Sequence, residues 1–485
     1  MKHTHSRSLA ANSLLLAVLI GAVGAHAARR PRYGGTLRVE IGPALASLDP
    51  AVVPANETEA AAKEKLLALV FDRLVTLDDH GDLQPGLATS WQSSADFKTW
   101  TFRLRPNVQL HTGAMLSPND LASVLRSGNP SWRVDWFIRT LGGVRAEFLT
   151  IDPGQPAPDL PYELASPRNF IYTRGADGAP VGSGPFKITT WEAGTHAVLT
   201  AFEDHWKGRP FLDLIDIQMA RPIKDRLIDL EVGKTDLIDI PPQEARRAMD
   251  RGARVIVSQP DELLALVFLP GRPGSEDARL REALADSIDR DAVVAFILQK
   301  QGIAAGSLLP QWSSGTAVLF SPVTDPTQAK DLVSQIRPDP VIVVGYDSAD
   351  PLAKSVAERI ELNAHDSGLA VRAEAMSASA NATQKLDAIL VRVPMKSPLP
   401  RPALTAFLAV LGPLAGLDAT PLPESASPEE IYDRERSIVD GQRVVPLLYL
   451  PEISGVSPRV KDWFPPLPAS GNGWPLANVW LEEVR

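Results

Sequence analysis

Apolar and polar residues alternate between residues 71 and 121 in a way that predicts a small module of strands closed by a helix. The clearest strand is 100–105, where Trp, Phe and Leu alternate with Thr and two Arg residues, as expected when one face is buried. Turn-forming residues at 78–81 and 94–96 precede and separate strand-like runs. Ser117, followed by Pro118 and Asp120, predicts a helix start, because the hydroxyl can cap free N–H groups and the acid favours the positive helix end.

After residue 214 the pattern changes to strands that alternate with helices, which predicts an α/β layer. The apolar run 263–269 is interpreted as one strand that crosses between two halves of the protein. The predicted strands are 214–219, 237–240, 255–257, 263–269, 341–344, 369–373, 386–393 and 444–450. The predicted helices are 226–232, 243–251, two within 278–300, one that begins at Pro351, and one from Ser427 to about Asp440.

The pattern is weakest between residues 127 and 181, where Pro and Gly are dense. Residues 151–158, with the sequence Ile-Asp-Pro-Gly-Gln-Pro-Ala-Pro, predict a loop. The Trp residues of the Pro-rich C-terminal tail are expected to pack on the first half of the protein.

The first residues predict an export signal. A basic start with Lys2 and Arg7 precedes an apolar run at 9–23, and Ala25-His26-Ala27 fits a small-x-small cleavage site. The alternative is a membrane anchor, which is disfavoured because the run is shorter than the ~20 residues that span a bilayer. We expect cleavage after Ala27.

Composition and charge restrict the compartment in which the protein is expected and the partners that it is expected to bind. The chain of 485 residues contains no cysteine, which excludes disulfides, cysteine metal sites and a lipid-modified cysteine, and this favours a freely diffusing periplasmic protein. Residues 1–27 contain two basic residues and no acidic residue, so cleavage would change the net charge from −9 to −11. Such an acidic chain is not expected to bind nucleic acid.

Local motifs for catalysis or metal binding are missing from the sequence. There is no His-Glu-x-x-His pair, no Gly-x-Ser-x-Gly elbow and no cysteine nucleophile, so an enzyme is disfavoured, although a dispersed Ser/His/Asp triad stays open. Asp78 and Asp79 are interpreted as solvated turn residues. His111 is interpreted as a hydrogen-bonded turn residue. No catalytic residue, no metal site and no cofactor is predicted.

The order of several sequence blocks resembles solute-binding protein family 5, the extracytoplasmic receptors of ABC importers. The blocks are Phe-Asp-Arg-Leu-Val-Thr-Leu at 71–77, Gly-x-Leu-x-Pro-Gly-Leu-Ala-x-Ser-Trp at 81–91, His-x-Gly at 111–113, Gly-Gly-Thr-Leu-Arg at 34–38, Leu-Asp-Pro at 48–50, Gly-Ser-Gly-Pro-Phe at 182–186 and the helical segment 279–294.

The resemblance implies an α/β, two-lobe periplasmic-binding-protein fold of the large cluster C type, with mixed sheets flanked by helices and an extra subdomain in lobe one. The expected division is 1–27 signal peptide; 28–52, 180–268 and 452–485 lobe one; 53–179 a shortened extra α+β subdomain; and 269–451 lobe two. Two lobes joined by crossing strands would close by a hinge around a ligand.

The function implied by this resemblance is capture of a peptide or other small solute and its delivery to an ABC permease in the inner membrane, by a protein expected to be a monomer. The alternative is a transport-inactive scaffold or sensor with a degenerate cleft. A secreted hydrolase is a third alternative without a local motif.

The residues predicted to bind ligand come from two places. By resemblance, the backbone after the first strand faces the cleft, which points to Glu40, Ile41, Gly42 and Ala44. In lobe two, peptide-binding relatives often carry an aspartate after the strand that corresponds to 386–393, whereas residues 394–401 here contain no acid.

Cationic residues occupy that part of lobe two instead, which leads to a hypothesis about the ligand. Arg392 and Lys396 are predicted to contact an anionic or carboxylate-bearing solute, with Arg401 nearby. The alternative is that these residues are solvated charges around a Pro-rich loop.

Overall fold

The computed structural model describes residues 30–78, 80–336, 341–376, 385–467, 470 and 473–482. The predicted signal peptide at 1–27 and Asp79 lie outside these residues. Within them, no helix is long and apolar enough to cross a membrane.

The described part of the chain forms twenty-one strands. They are β1 Thr36–Glu40, β2 Val75–Leu77, β3 Leu83–Pro85, β4 Ala88–Ser93, β5 Trp100–Leu104, β6 Arg133–Leu141, β7 Val144–Asp152, β8 Thr173–Arg174, β9 Pro180–Val181, β10 Phe186–Glu192, β11 His196–Ala201, β12 Leu214–Gln218, β13 Leu237–Asp239, β14 Arg254–Phe268, β15 Ile303–Ala304, β16 Ile342–Asp347, β17 Val371–Met376, β18 Ala388–Pro394, β19 Val444–Val456, β20 Val460–Lys461 and β21 Trp480–Leu481.

The α-helices of the same residues are α1 Glu57–Val70, α2 Pro118–Gly128, α3 Leu160–Leu164, α4 Ile223–Glu231, α5 Ala245–Asp250, α6 Pro273–Glu276, α7 Ala278–Ser287, α8 Arg290–Ala292, α9 Gln311–Ser314, α10 Pro326–Ser334, α11 Pro351–Asp366, α12 Pro400–Ala415 and α13 Pro428–Asp440. A π-helical turn, Val293–Ile297, follows α8. Short 3₁₀ turns are Pro167–Asn169, Pro242–Glu244, Ala317–Leu319 and Leu476–Asn478.

One mixed sheet runs through both halves of the protein. Its strand order is β10-β11-β12-β1-β13-β19-β14-β18-β16-β17, with β15 paired to β19. In lobe one β1 is parallel to β12 and β13, and in lobe two β16 is parallel to β17 and β18. The two-lobe α/β fold implied by the sequence is thereby confirmed.

Two long antiparallel strands, β14 and β19, join the lobes. Residues 254–257 of β14 pair with 453–456 of β19 in lobe one, whereas residues 262–267 pair with 444–450 in lobe two. The ladder is irregular between Val257 and Glu262, which is where the chain passes from one lobe to the other. The predicted separate strands 255–257 and 263–269 were therefore wrong in extent, because a bulged strand stays hydrogen-bonded through the irregularity.

The apolar run of β14 is explained by layers that cover both of its faces. Leu264, Leu266 and Phe268 pack toward α7 and α11, whereas Leu263, Ala265 and Val267 pack toward α12. A strand buried on both faces reads as continuously apolar. Residues 262–268 also pair with 388–394 of β18, which favours a lobe boundary near residue 260. The full division of the chain into lobes stays a prediction.

The extra module of lobe one is a four-stranded sheet, β4-β5-β7-β6, closed by α2. Ser117 and Asp120 form the predicted cap reciprocally, since each side chain binds the other residue's backbone N–H. The loop predicted at 151–158 is present from residue 153, but no strand was predicted in the weak segment before it, so the hairpin β6–β7 was missed. Its two-residue turn is Gly142-Gly143, with φ of 56° and 82°, a conformation that glycine adopts at little cost.

The C-terminal tail packs on lobe one. Trp463 and Trp474 lie in the same apolar core as strand β1 and helix α1, with their rings edge to face at 6.3 Å.

Glu435 of α13 is a buried acid whose carboxylate binds the backbone of the segment that follows β15. One carboxylate oxygen accepts hydrogen bonds from the N–H groups of Leu308 and Leu309, at 2.6 and 2.7 Å. The other oxygen has no hydrogen-bond partner in the described structure. Burial raises the pKa of Glu435 to about 7, although the two N–H groups oppose this shift.

The Glu435→Gln variant is expected to be more stable than the parent at pH 8 and of similar stability at pH 4. An acid with a raised folded-state pKa contributes stability below its unfolded pKa and loses it as pH rises toward 7. The rise of the pKa of Glu435 from 4.5 to about 7 is worth about 3 kcal/mol in the free energy of unfolding. Urea titrations between pH 4 and pH 8 test this. Glu429→Gln, on the exposed face of the same helix, is the control, and parallel pH profiles of parent and Glu435→Gln would contradict the expectation.

Candidate functional site

The carboxyl ends of the parallel strands in both lobes point toward the crossing between them. In lobe one, β13 ends beside residue 453 of β19, where the N–H of Ile240 donates to the carbonyl of Ile453. In lobe two, β18 ends beside β14, where the N–H of Met395 donates to the carbonyl of Asp261. Open α/β sheets bind ligands outside the carboxyl ends of their strands. The candidate site is therefore the cleft between the segments that follow β1, β13, β16 and β18.

The lobe-one residues predicted to bind ligand occupy different environments. Ile41 is 3% exposed and packs into the core with Leu37 and Val39, so its contribution to a cleft is limited to its backbone. Gly42 donates its N–H to Asp239 at 3.1 Å. Ala44 is exposed.

Glu40 is buried against helix α4 and belongs to a charged network. Its carboxylate lies 3.7 Å from Nε of Arg221, which also donates to Asp229 of α4 at 2.7 Å. Burial, together with the negative charge of Asp229, raises the pKa of Glu40 despite Arg221. Oε2 of Glu40 has no hydrogen-bond partner in the described structure.

A second ion pair, missed by the sequence reasoning, fixes the end of β13. The buried guanidinium of Arg226 bonds both the carboxylate and the carbonyl of Asp239. Since Asp239 also binds the N–H of Gly42, Arg226 positions the backbone after β1 indirectly. The only sequence signal was the acid at the end of a predicted strand.

In lobe two, Arg392 makes two ion pairs. It contacts Glu262 of β14 (Nε to Oε2, 2.9 Å) and Asp350, the N-cap residue of α11 (Nη1 to Oδ2, 3.2 Å). Burial lowers the pKa of Arg392, but the two carboxylates outweigh it and raise the pKa above its ordinary value. The guanidinium therefore ties β14, β18 and α11 together at the mouth of the lobe. Lys396 lies exposed in the loop between β18 and α12.

The crossing itself holds a cluster of charges. Lys65 of α1 pairs with Glu452 of β19 at 2.9 Å. Asp261 lies close enough to Glu452 and Glu262 for their charges to act on it. Burial and these two acids raise the pKa of Asp261, with Lys65 opposing the shift. Sequence reasoning missed this cluster because its members are far apart along the chain.

A cavity of about 530 Å³ opens beside the crossing, within lobe two. Its walls include Pro260 of β14, Tyr449 of β19 and the aromatic residues Trp312 and Phe320. The indole N–H of Trp312 donates to the carbonyl of Pro260 at 2.9 Å, so the cavity wall is attached to the crossing strand. None of the six residues predicted to bind ligand lines this cavity.

A direct ion pair links the two lobes across the cleft. Arg401, in the first turn of α12, contacts the carboxylate of Asp159, which precedes α3 in the extra module. Glu424 lies nearby; burial first, and then the charges of Asp159 and Glu163, raise its pKa despite Arg401. The contact joins the extra module to lobe two, so an increase in the distance between them would break it.

Several blocks that carried the family resemblance meet in lobe one, away from the cleft. Asp72 accepts hydrogen bonds from Ser183 and Trp206, both at 2.8 Å. The carbonyl of Gly184 can only accept, so Nε2 of His111 carries the proton in their 3.0 Å hydrogen bond. Burial lowers the pKa of His111 to about 4, which keeps the ring neutral. The interpretation of His111 as a hydrogen-bonded turn residue is confirmed.

In the described residues, no group of three or more His, Asp or Glu side chains could hold a metal ion.

The sequence model of bacterial extracellular solute-binding proteins, family 5 (middle segment), matches residues 82–410. The chain belongs to this family of receptors. Similar proteins include the heme-binding protein A of Haemophilus influenzae, 25% identical over 55% of this chain and 56% of that protein. The nickel-binding periplasmic protein of Escherichia coli is 24% identical over 71% of each chain. The nickel-binding protein NikA of Staphylococcus aureus is 26% identical over 47% of this chain and 48% of that protein. The chain thus spans about half the length of the Haemophilus and Staphylococcus relatives.

Solved structures show the same fold at low sequence identity. NikA from Brucella suis in complex with Fe(III)-EDTA superposes with a TM-score of 0.78 at 20% identity, over 92% of this chain and all of that one. DppA from Helicobacter pylori in complex with the peptide STSA gives 0.73 at 19% identity, over 93% and 99%. The fold is therefore that of the periplasmic binding proteins.

Removal of either member of the cross-lobe pair is expected to favour the open form. In Arg401→Ala and Asp159→Ala the closed form loses an ion pair, and their coupling energy should be about 0.5–1 kcal/mol, since both side chains are partly exposed. Small-angle X-ray scattering of the ligand-free protein should show a larger radius of gyration for each variant.

The pair Arg434–Asp418, at 3.2 Å within lobe two, offers the matched control. Arg434→Ala should leave the radius of gyration unchanged. An equal response of Arg401→Ala and Arg434→Ala would show that Arg401 does not hold the lobes together.

Proposed function

We propose that this protein is the substrate-binding component of an ABC importer in the periplasm. It captures a small solute or peptide in the cleft between its lobes and presents the closed form to a permease in the inner membrane. The observation that carries the proposal is the pair of lobes joined by β14 and β19, with the carboxyl ends of the parallel strands of both lobes facing the crossing. No covalent step is needed.

Capture of the solute rests on contacts that exist only when the lobes are closed. A ligand shifts an equilibrium only by the difference in its affinity for the two states. A solute that touches the segments after β1 in lobe one and after β18 in lobe two makes both sets of contacts in the closed form alone. The irregular ladder between Val257 and Glu262 is the proposed hinge, because it has fewer regular pairings to break than the rest of the two strands.

The charges around the cleft lead to a testable hypothesis about the charge of the solute. Arg392 and Lys396 are proposed to contact an anionic or carboxylate-bearing ligand, and the backbone of Glu40, Ile41, Gly42 and Ala44 is proposed to face it from lobe one. Arg392 is already paired with Glu262 and Asp350, so an anion there has to share the guanidinium. Lys396 lies exposed in the neighbouring loop, so the hypothesis requires a test of both cations.

The ion pairs also support a second candidate function. Arg392 and Arg401 both find carboxylates within the protein, and the Arg401 pair links the lobes without any ligand. In a transport-inactive scaffold or sensor, the charges of the cleft would pair with each other and not with a ligand. Ligand occupancy in the native host distinguishes the two functions.

Protein purified from its own host is expected to carry a stoichiometric small molecule in native mass spectrometry. The same molecule, added at 100 times its dissociation constant, should stabilise the protein by about 2.7 kcal/mol in a thermal-shift panel of peptides, amino acids, sugars and metal chelates. Absence of any bound molecule, combined with no shift across the panel, would favour the scaffold.

Lys396→Gln is expected to weaken binding of an anionic panel ligand about tenfold without changing the melting temperature, since it removes a charge from an exposed loop. Arg392→Gln should weaken binding and also lower stability, because it leaves Glu262 and Asp350 without their cation. Isothermal titration calorimetry and thermal unfolding provide the two measurements. Arg372→Gln, on the exposed β17, is the control. The anion hypothesis fails if both cleft variants bind as tightly as the parent.

A further inference from the structure

The hairpin β6–β7 presents an open sheet edge with unusual side chains. Strand β6 is nine residues long and lies at the end of the β4-β5-β7-β6 sheet. In the described part of the chain, no strand pairs with its outer edge. Trp136, Ile138 and Leu141 are 42%, 39% and 45% exposed, although they lie on a strand without proline or lysine. Long exposed edges of this kind are usually protected, because they pair readily with another strand.

The direction of the backbone groups on this edge follows from two hydrogen bonds. The carbonyl of Val134 accepts from Nη1 of Arg126 in α2, at 2.8 Å, and so faces outward. The carbonyl of Asp135 accepts from the hydroxyl of Thr150 in β7, at 3.2 Å, and so faces inward. Because these groups alternate along a strand, the N–H and C=O groups of Trp136, Ile138 and Thr140 face the open edge.

Three charged residues on β6, namely Arg133, Asp135 and Arg139, are left without an ion-pair partner in the described structure. Asp135 is exposed, and its carboxylate makes no hydrogen bond or ion pair with any described residue. Arg139 is exposed and lies over the ring of Phe137, 4.9 Å from its centroid, without a carboxylate partner among the described residues. By contrast, Arg145 on the neighbouring strand pairs with Glu147 at 3.5 Å.

The spacing of these residues is self-complementary about Phe137. If two copies of β6 pair antiparallel about a twofold axis at Phe137, Asp135 of one copy faces Arg139 of the other, twice. Trp136 then faces Ile138 of the other copy, again twice, and these are the hydrogen-bonded positions. Asp135 and Arg139 fall at the non-hydrogen-bonded positions, where opposite Cα atoms approach to about 4.5 Å.

Neighbouring registers lack this match. A register centred on Trp136 puts Arg133 opposite Arg139, and like charges at directly opposite positions destabilise a sheet. A register centred on Ile138 puts Asp135 opposite Leu141. Of these three registers, only the one about Phe137 pairs Asp135 with Arg139 and Trp136 with Ile138, and it leaves Arg133 opposite Leu141.

We propose that β6 is a self-association edge, through which a second copy of this chain adds to the four-stranded sheet and forms a continuous eight-stranded sheet. The contact is isologous, as closed homodimers require. This inference departs from the expectation of a monomer and is independent of the proposed transport function. The module lies in lobe one, so the contact leaves lobe two unattached to the partner copy.

The test is a charge exchange measured on the full mature chain by sedimentation velocity over a range of concentrations. The parent is expected to dimerise in the micromolar range. Asp135→Arg and Arg139→Asp each create two like-charge pairs across the twofold axis, and each should raise the dimer dissociation constant at least about tenfold. The double variant Asp135→Arg/Arg139→Asp restores opposite charges and should dimerise like the parent.

A further variant separates the edge from general charge effects. Ile138→Lys places a charge at the apolar centre of the edge and should abolish the dimer. The exposed exchange Arg145→Asp on β7, outside the paired strand, should leave the dimer intact. Unchanged melting temperatures would show that the variants fold. A parent that stays monomeric at every concentration, or single charge variants that dimerise as well as the parent, would overturn the proposal and assign the edge to another partner.

Discussion

The ladder between β14 and β19 is the constraint on which the rest of the structure depends. These two strands are neighbours in a sheet that extends into both lobes, and their pairing is irregular between Val257 and Glu262 and again between Leu264 and Ala265. In lobe two, β14 is buried on both faces between helices, so its position cannot change without repacking two cores. The irregular segment between Val257 and Glu262 is for this reason the hinge that we propose.

Several ion pairs lie at or near this crossing. Lys65 and Glu452 lie at the crossing, the pair Arg226–Asp239 fixes the end of a lobe-one strand, and Arg392 fixes the mouth of lobe two. Two of the carboxylates in these pairs occupy defined ends of elements, since Asp239 ends β13 and Asp350, a partner of Arg392, caps α11. In the function that we propose, a solute that enters the cleft has to compete with these internal partners, so its recognition does not depend only on the sign of the side chains.

The sequence blocks that carry the family resemblance serve mainly to pack lobe one. Gly184 donates its N–H to the carbonyl of Val70, and a Cβ at that position would come within 2.7 Å of the carbonyl oxygen. Asp72 is bonded by Ser183 and Trp206 in the same region. Close contacts restrict which side chains fit at these positions, so the motif can be recognised in a sequence. These packing contacts say little about which solute is bound.

The sequence by itself determined the α/β class, many of the elements and the family, because apolar periodicity and caps such as Ser117 and Ser427 are local properties of the chain. It missed the hairpin at 133–152, although the Gly142-Gly143 turn was a usable signal, because the apolar residues there are partly exposed on both faces. Only the tertiary structure brought Arg392 to Glu262 and Asp350, and Arg401 to Asp159. Long side chains find partners that are far away in sequence, and a list of cationic residues cannot show whether their charges are free. Local patterns of apolar and polar residues therefore predict the fold. The chemistry of a cleft between lobes depends instead on which distant chain segments the folded sheet places side by side.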